Sequence, residues 1–465
     1  MGQISDKFSN FKLNATTIIL IVSFSAFSFL IMPLSEAFIK EPFVGIQFLF
    51  IGLISIIALF VENQNHSFST TMSVYFFCYL FFYCAALFQF SNNTFRWFLY
   101  PSIDEVIKAN NLILIGMISF ILGNHFYIRI TGEKHITNIK EKRVKRVKIR
   151  KWVVCIFLII LTSYFLYLLT IMPITSFLVR ETFQIYDRDN QSLGLILTSF
   201  RNGIALISSL MSIELYKKEK SGINLLIMIY SLLLVLFIIP PTGVARFLAG
   251  AFYGSIVLYS FSSLRNGRKF LLVMFLFILM VFPLLNNFRY ADGNILNFFD
   301  IINGLSNNFQ SADFDAYTML VYTVQYVSSL GYSLGYQLLG TILFFIPRTI
   351  WPSKPVGSGS EIVQSLFVPV NSNLSCPFVA EYYINFGVFG VIIFSLLLGC
   401  LLNTIDKMYW REQKEISFLK FFYPFLSLMT IYCCRGDMLS SCSFLTGTCL
   451  SSYICYKMAV KKSSF

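Results

Sequence analysis

KEKRVKRVKIRKWVVCIFLIILTSYFLYLLTI, residues 140 to 171, sets two opposite kinds of chain side by side. Eight of its first twelve residues are Lys or Arg, and the twenty that follow, Trp152 to Ile171, carry no charge. An uncharged apolar run of that length matches the hydrocarbon thickness of a bilayer. A basic cluster at its mouth belongs on the cytoplasmic face. This stretch therefore predicts both a membrane-spanning helix and its direction.

The pattern recurs outward from there. Of 465 residues, 56% are hydrophobic, 52 are Phe and only 13% are charged, against about 25% charge in soluble domains. The apolar segments are continuous, unlike the short alternating strands of a membrane barrel. The sequence predicts an all-α polytopic membrane protein with twelve transmembrane helices: 16–33, 44–61, 73–90, 109–128, 152–172, 193–212, 223–239, 246–264, 269–285, 387–404, 419–434 and 438–456. A weaker apolar pair, 318–331 and 334–347, holds Gly331, Gly335 and Gly340 and reads as two spans or a re-entrant pair. Three sections follow. Residues 1–285 hold nine helices and a basic cytoplasmic loop at 129–151, residues 286–386 form an extracytoplasmic block with the short pair as a membrane hairpin at 318–347, and residues 387–465 hold three helices.

Alternation from the basic run places both termini in the cytoplasm, with roughly two-thirds of the 36 basic residues on that side. The net charge of +13 is thus a topology signal and not the footprint of a nucleic-acid partner. Ten cysteines without C-x-x-C spacing, mostly inside apolar segments, read as small buried hydrophobes. The run at 16–33 lacks a small-residue cleavage site and reads as the first span.

Several charged residues fall outside this topology account. Arg201 lies within an apolar segment, where an arginine is costly and faces a cavity, a partner or an ion pair. Arg246 opens a span after Pro240, Pro241 and Gly243, so helix-start amides and a guanidinium together favour an anion; the other reading is a snorkelling interfacial side chain. Arg289 enters the external block beside Tyr290 and Asp292. Arg180 and Arg188 flank an external turn and either grip a substrate or pair with Glu181, Asp187 and Asp189. FIPRTIWPSKPVGSGSE, 345–361, places Arg348, Trp351 and Lys354 among three prolines and ends on Glu361 after adaptable glycines. Glu381 and Tyr382 stand at the mouth of the next span, where a carboxylate is a candidate base or an arginine orienter. Arg435 and Asp437 read as a local salt bridge in the turn between the last two spans.

Arginines at the outer ends of apolar segments suit phosphate and pyrophosphate. Tyrosines and Trp351 suit sugar faces, so the set points to a lipid-linked phosphate carrying a glycan. None of the three histidines, His66, His125 and His135, falls on the outer side, and no metal or cofactor is expected, although Asp292, Asp300, Asp313 and Asp315 leave a carboxylate-only site open.

TGVAR (242–246), NNFRYAD (286–292), FIPRTIWPSKP (345–355) and AEYYINFGVFG (380–390) together give a resemblance to the Wzy-type O-antigen or capsular oligosaccharide repeat unit polymerases. That family often has a serine between the glycine and the arginine of its first motif, where this chain has Val244-Ala245. The resemblance implies an enzyme of the bacterial inner membrane. It would polymerise undecaprenyl-pyrophosphate-linked repeat units by glycosyl transfer at the outer face, within reach of membrane lipid, in functional cooperation with a flippase and a chain-length regulator. It also implies Arg246, Arg289 and Arg348 as pyrophosphate-binding residues, Lys354 as their helper and Glu381 as base or orienter. Arg180, Arg201, Trp351, Glu361 and Tyr382 complete the substrate-binding set. Rival readings are a flippase or other transporter of the same lipid-linked glycan and an O-antigen ligase.

Overall fold

The computed structural model describes residues 34–65, 68–95, 100–130, 147–177, 191–282, 307–366, 374–412 and 416–462. In chain order the helices are α1 (Leu34–Lys40), α2 (Pro42–Asn65), α3 (Thr70–Ser91), α4 (Ile103–Ile130), α5 (Lys151–Ile171), α6 (Gln191–Lys218), α7 (Gly222–Ile238), α8 (Arg246–Ser260) and α9 (Gly267–Leu276). They continue with α10 (Ala316–Leu330), α11 (Tyr336–Ile342), α12 (Ser358–Ser365), α13 (Phe378–Glu412), α14 (Phe418–Arg435) and α15 (Met438–Ala459). A two-stranded antiparallel ribbon pairs β1 (Val147–Ile149) with β2 (Val460–Lys462), Lys148 lying opposite Lys461.

The protein is a multi-pass, largely helical membrane-associated protein. The expected twelve spans are corrected. Among the described residues five helical stretches are long and apolar enough to cross a membrane: Pro42–Asn63, Thr70–Ser91, Ile103–His125, Lys151–Ile171 and Phe378–Arg411. The other expected spans differ for identifiable reasons. Residues 16–33 lie outside the described residues. The helix α7 is apolar but has 17 residues, and α8 has 15. The regular α-helix of α9 lasts 10 residues before loosening into a π turn at Phe277–Val281. The helix α14 has 18 residues but carries Lys420 near its start and Arg435 at its end, and α15 is rich in serine and threonine. In the short apolar pair, α10 is 15 residues and α11 only 7, so neither is a span.

The helix α3 is the axis of the molecule. Its span is wholly buried, whereas the other four crossing stretches keep exposed faces. Its start is fixed by a buried carboxyl group. Asp406 of α13 accepts hydrogen bonds from the amides and hydroxyls of Thr70 and Thr71 (2.7–3.2 Å) and from the Tyr423 hydroxyl (2.6 Å). Five donors on one side chain thus pin the start of α3 to α13 and α14. Halfway along, Cys78–Ala85 opens into a π-helical segment. Near its far end, Gln89 donates to the carbonyls of Phe309 and Phe314 (2.9 and 2.8 Å), holding the chain just before α10.

Glycines set the closest helix contacts. A Cβ on Gly123 of α4 would lie 2.0 Å from the Leu396 carbonyl oxygen of α13, and one on Gly399 of α13 2.3 Å from the Phe120 oxygen. Backbone therefore meets backbone, as small residues permit in membranes. The same device joins α6 to α15: Gly203 meets Ser451, Gly447 meets Ser199, and the Ser451 hydroxyl donates to the Ser199 carbonyl 252 residues away (3.0 Å).

Candidate functional site

The polar centre lies where the starts of α8, α10, α12, α13 and α15 meet the end of α14. A 3-10 turn, Ala312–Phe314, carries Asp313 and leads to Asp315 at the start of α10. Phe314 stacks on Phe81 of the π segment, which fixes the turn against the axis helix (5.1 Å). Arg246, the first residue of α8, is buried and places Nη1 2.7 Å from Asp313 Oδ2. Arg435, the last residue of α14, donates Nε to the Asp313 carbonyl (2.7 Å) and Nη2 to both the Ala312 carbonyl (2.6 Å) and Asp315 Oδ1 (2.7 Å). Two guanidinium groups thus converge on one aspartate, one on its carboxylate and one on its backbone. Phe247 lies under the Arg435 guanidinium at 5.1 Å.

Two further carboxylates adjoin this pair. Glu381, 2% exposed in the first turn of α13, accepts from the Ser358 hydroxyl and the Met438 amide, both at 2.8 Å. Asp437 caps α15, accepting from the amide (2.9 Å) and hydroxyl (3.2 Å) of Ser440. Burial raises the Asp437 carboxyl above its ordinary value. Burial likewise pushes the Cys376 thiol well up, which keeps it a neutral group beside the carboxylates. The Ser375 amide donates to Asp315 Oδ2 (3.3 Å), while its buried hydroxyl has no partner among the described residues.

The structure brings together Arg246 and Glu381 from the expected set and adds Arg435, Asp313, Asp315, Asp437 and Ser358. Arg180 and Arg289 lie outside the described residues. Arg348 donates to the carbonyls of Lys354 (2.5 Å) and Pro355 (3.1 Å) in its own loop. Lys354, expected to assist the arginines or contact glycan, is buried, with Nζ on the carbonyls of Phe344 (2.6 Å) and Ile346 (3.0 Å). The Trp351 ring meets Tyr336 edge-on, and its Nε1 donates to Ser353. The glycine-rich tail is not adaptable chain but the start of α12, with Glu361 partly exposed in its first turn. Tyr382 is core, stacked on Phe394 at 5.4 Å. Among the described residues Glu381 accepts from Ser358 and Met438 and pairs with no arginine. Arg435 and Asp437 do not form the expected local salt bridge, because Arg435 turns to Asp315 and Asp437 to its own helix.

Arg201 stands apart. It is 6% exposed in α6, with Nε and Nη2 on Asn202 Oδ1 (3.1 and 3.0 Å) and the Tyr164 ring 5.9 Å away. Its Nη1 and the Asn202 Nδ2 have no partner among the described residues. A cavity of about 590 Å³ between α5 and α7, lined by Leu158, Ile159, Leu226 and Ile227 and by the hydrogen-bonded pair Thr162 and Tyr230, contains none of these charged groups. Among the described residues no group of His, Cys, Asp and Glu is arranged to hold a metal ion.

The residues missed in the sequence carried faint signals. Asp437 precedes a serine-rich helix start in the N-cap pattern. SADFD, 311–315, places two carboxylates immediately ahead of an apolar helix. Comparison with known proteins adds no assignment: no family model, no curated protein and no solved structure matches the chain. The resemblance to Wzy-type O-antigen polymerases rests on its four short motifs alone. Among the described residues the twelve-helix architecture that accompanied it is replaced by five stretches long and apolar enough to cross a membrane, and the chain is not assigned to that family.

Proposed function

We propose that this protein is a membrane-embedded enzyme that transfers glycan carried on a polyprenyl pyrophosphate, of the undecaprenyl class, onto a second lipid-linked repeat unit. The observation that carries the reading is the convergence of Arg246 and Arg435 on Asp313, beside the buried carboxylate of Glu381. Guanidinium forks stabilise pyrophosphate as it departs. Asp313 and Asp315 hold the two forks in place until a more highly charged anion displaces them. The acceptor hydroxyl loses its proton to Glu381, its oxygen bonds to the anomeric carbon, and the bond from that carbon to pyrophosphate breaks, leaving the carrier lipid with the bonding pair. The proposed setting is the outer face of a bacterial inner membrane with both termini cytoplasmic, and pairing of the 147–149 and 460–462 segments supports one common side for the basic loop and the C-terminus.

A second reading is favoured by one observation. Arg201 is a buried cation without an acidic partner among the described residues, as on a transport path for the same lipid-linked anion. The deciding experiment is a gel of lipid-linked and surface glycans from cells expressing Glu381→Gln or Arg435→Ala at wild-type protein level. Single repeat units in place of a ladder are expected. Full-length polymer stranded on its carrier identifies ligation instead, and unchanged glycans overturn the enzymatic reading and leave transport.

A further inference from the structure

Residues 330–356 turn large apolar side chains outward while side-chain donors of the segment satisfy several of its own carbonyls. Leu334 is 81% exposed and Ile350 76%, with Leu339, Ile342 and Phe345 also exposed. Lys354 is buried, whereas Arg348 is exposed and lies along its own loop. Lys354 Nζ satisfies the Phe344 and Ile346 carbonyls, Arg348 satisfies those of Lys354 and Pro355, and the Tyr336 hydroxyl bonds to the Ser353 carbonyl. An aqueous loop has no need of this arrangement, because water serves its carbonyls and the lysine gains by hydration. In hydrocarbon every backbone carbonyl of a non-helical segment needs a donor from the protein itself.

The surface is also continuous with a membrane-crossing helix. Gly335 packs on Phe386 at the kink of α13, and the Leu338 amide and Ser333 hydroxyl both donate to Asn385 Oδ1 (3.1 Å each). From that point the outer face of α13 runs through Phe389, Ile393, Leu397 and Leu401, all exposed. At its other end the segment passes into Ser358, which donates to Glu381.

We infer that residues 334–351 form a wedge immersed in the bilayer surface, with phospholipid acyl chains as its partner. The wedge hangs from the helix that carries Glu381 at two points, Asn385 and Ser358, so it carries the bilayer to the edge of the polar centre. Neither α11 nor the following loop crosses the membrane. This inference is independent of the proposed reaction, since its test reads lipid contact and not turnover.

A photoreactive diazirine amino acid is placed singly at Ile342, Phe345 and Ile350 in the full-length protein. Each variant is reconstituted in phosphatidylethanolamine and phosphatidylglycerol vesicles, irradiated and analysed by mass spectrometry. A fourth site at the exposed Lys220 supplies the aqueous control. Phospholipid adducts are expected to exceed water adducts roughly tenfold or more at the three wedge sites, in line with the transfer preference of one large apolar side chain. Water adducts at all three sites, or cross-links to a second copy of the chain, overturn the wedge. As an independent check, brominated acyl chains are expected to quench a component of the fluorescence that Trp351→Phe removes; its insensitivity to bromine counts equally against the inference.

Discussion

Arg435 and Asp437 are two residues apart and hold different parts of the molecule. The arginine binds the turn ahead of α10, and the aspartate starts α15. Burial raises the Asp437 carboxyl, so the folded state holds this proton more firmly than the unfolded chain does. The sign of the linkage follows: stability falls as pH climbs from the ordinary aspartate value, about 3.9, through the raised folded value. Asp437→Asn keeps a capping acceptor and removes the titration. Its unfolding midpoint in detergent should therefore decline less between pH 4 and 8 than that of the wild type; parallel curves would show that Asp437 is not the titrating group. At this scale the sequence marked the unusual side chains but not their direction. Nothing in PRTIWPSKP says whether a cation turns to a ligand or to the carbonyls of its own loop, because that depends on the solvent around the loop.

For the helices, legibility divided by composition. The stretch Trp152–Ile171 read correctly because its apolar run is long, uncharged and poor in hydroxyls. The stretch at 438–456 counted as a span through its cysteines, aromatics and leucines, while seven serines and threonines in the same helix were underweighted. Glycine contacts carried no readable motif, since Gly123 and Gly399 are defined only by the helix that each one meets. They are nonetheless measurable. Gly123→Ala places a methyl group against backbone that cannot swing aside, and overpacking of this kind costs about 1–3 kcal/mol. Gly222→Ala, where nothing lies within 4 Å, should be close to neutral. Thermal unfolding of the two variants beside the wild type checks this, and equal midpoints would mean that α4 and α13 are further apart than described.

Across the whole molecule, the β1–β2 ribbon closes most of the chain into a loop. Lys148 and Lys461 face each other in antiparallel register, a spacing that suits a disulfide. Lys148→Cys with Lys461→Cys should cross-link under mild oxidation in the purified protein and shift its mobility on a non-reducing gel, whereas Lys148→Cys alone should not. The C-terminal helix has a second long-range duty, its contact with α6. When α6 emerges from the ribosome, the residue that will bind Ser199 is still 252 codons away. At roughly 5–20 residues per second that interval lasts some tens of seconds. Throughout it, Ser199 and Gly203 must be covered by lipid, water or another protein. A message cut short before Met438 would leave that face open permanently, so the exposure of one helix face reports whether α15 has been made.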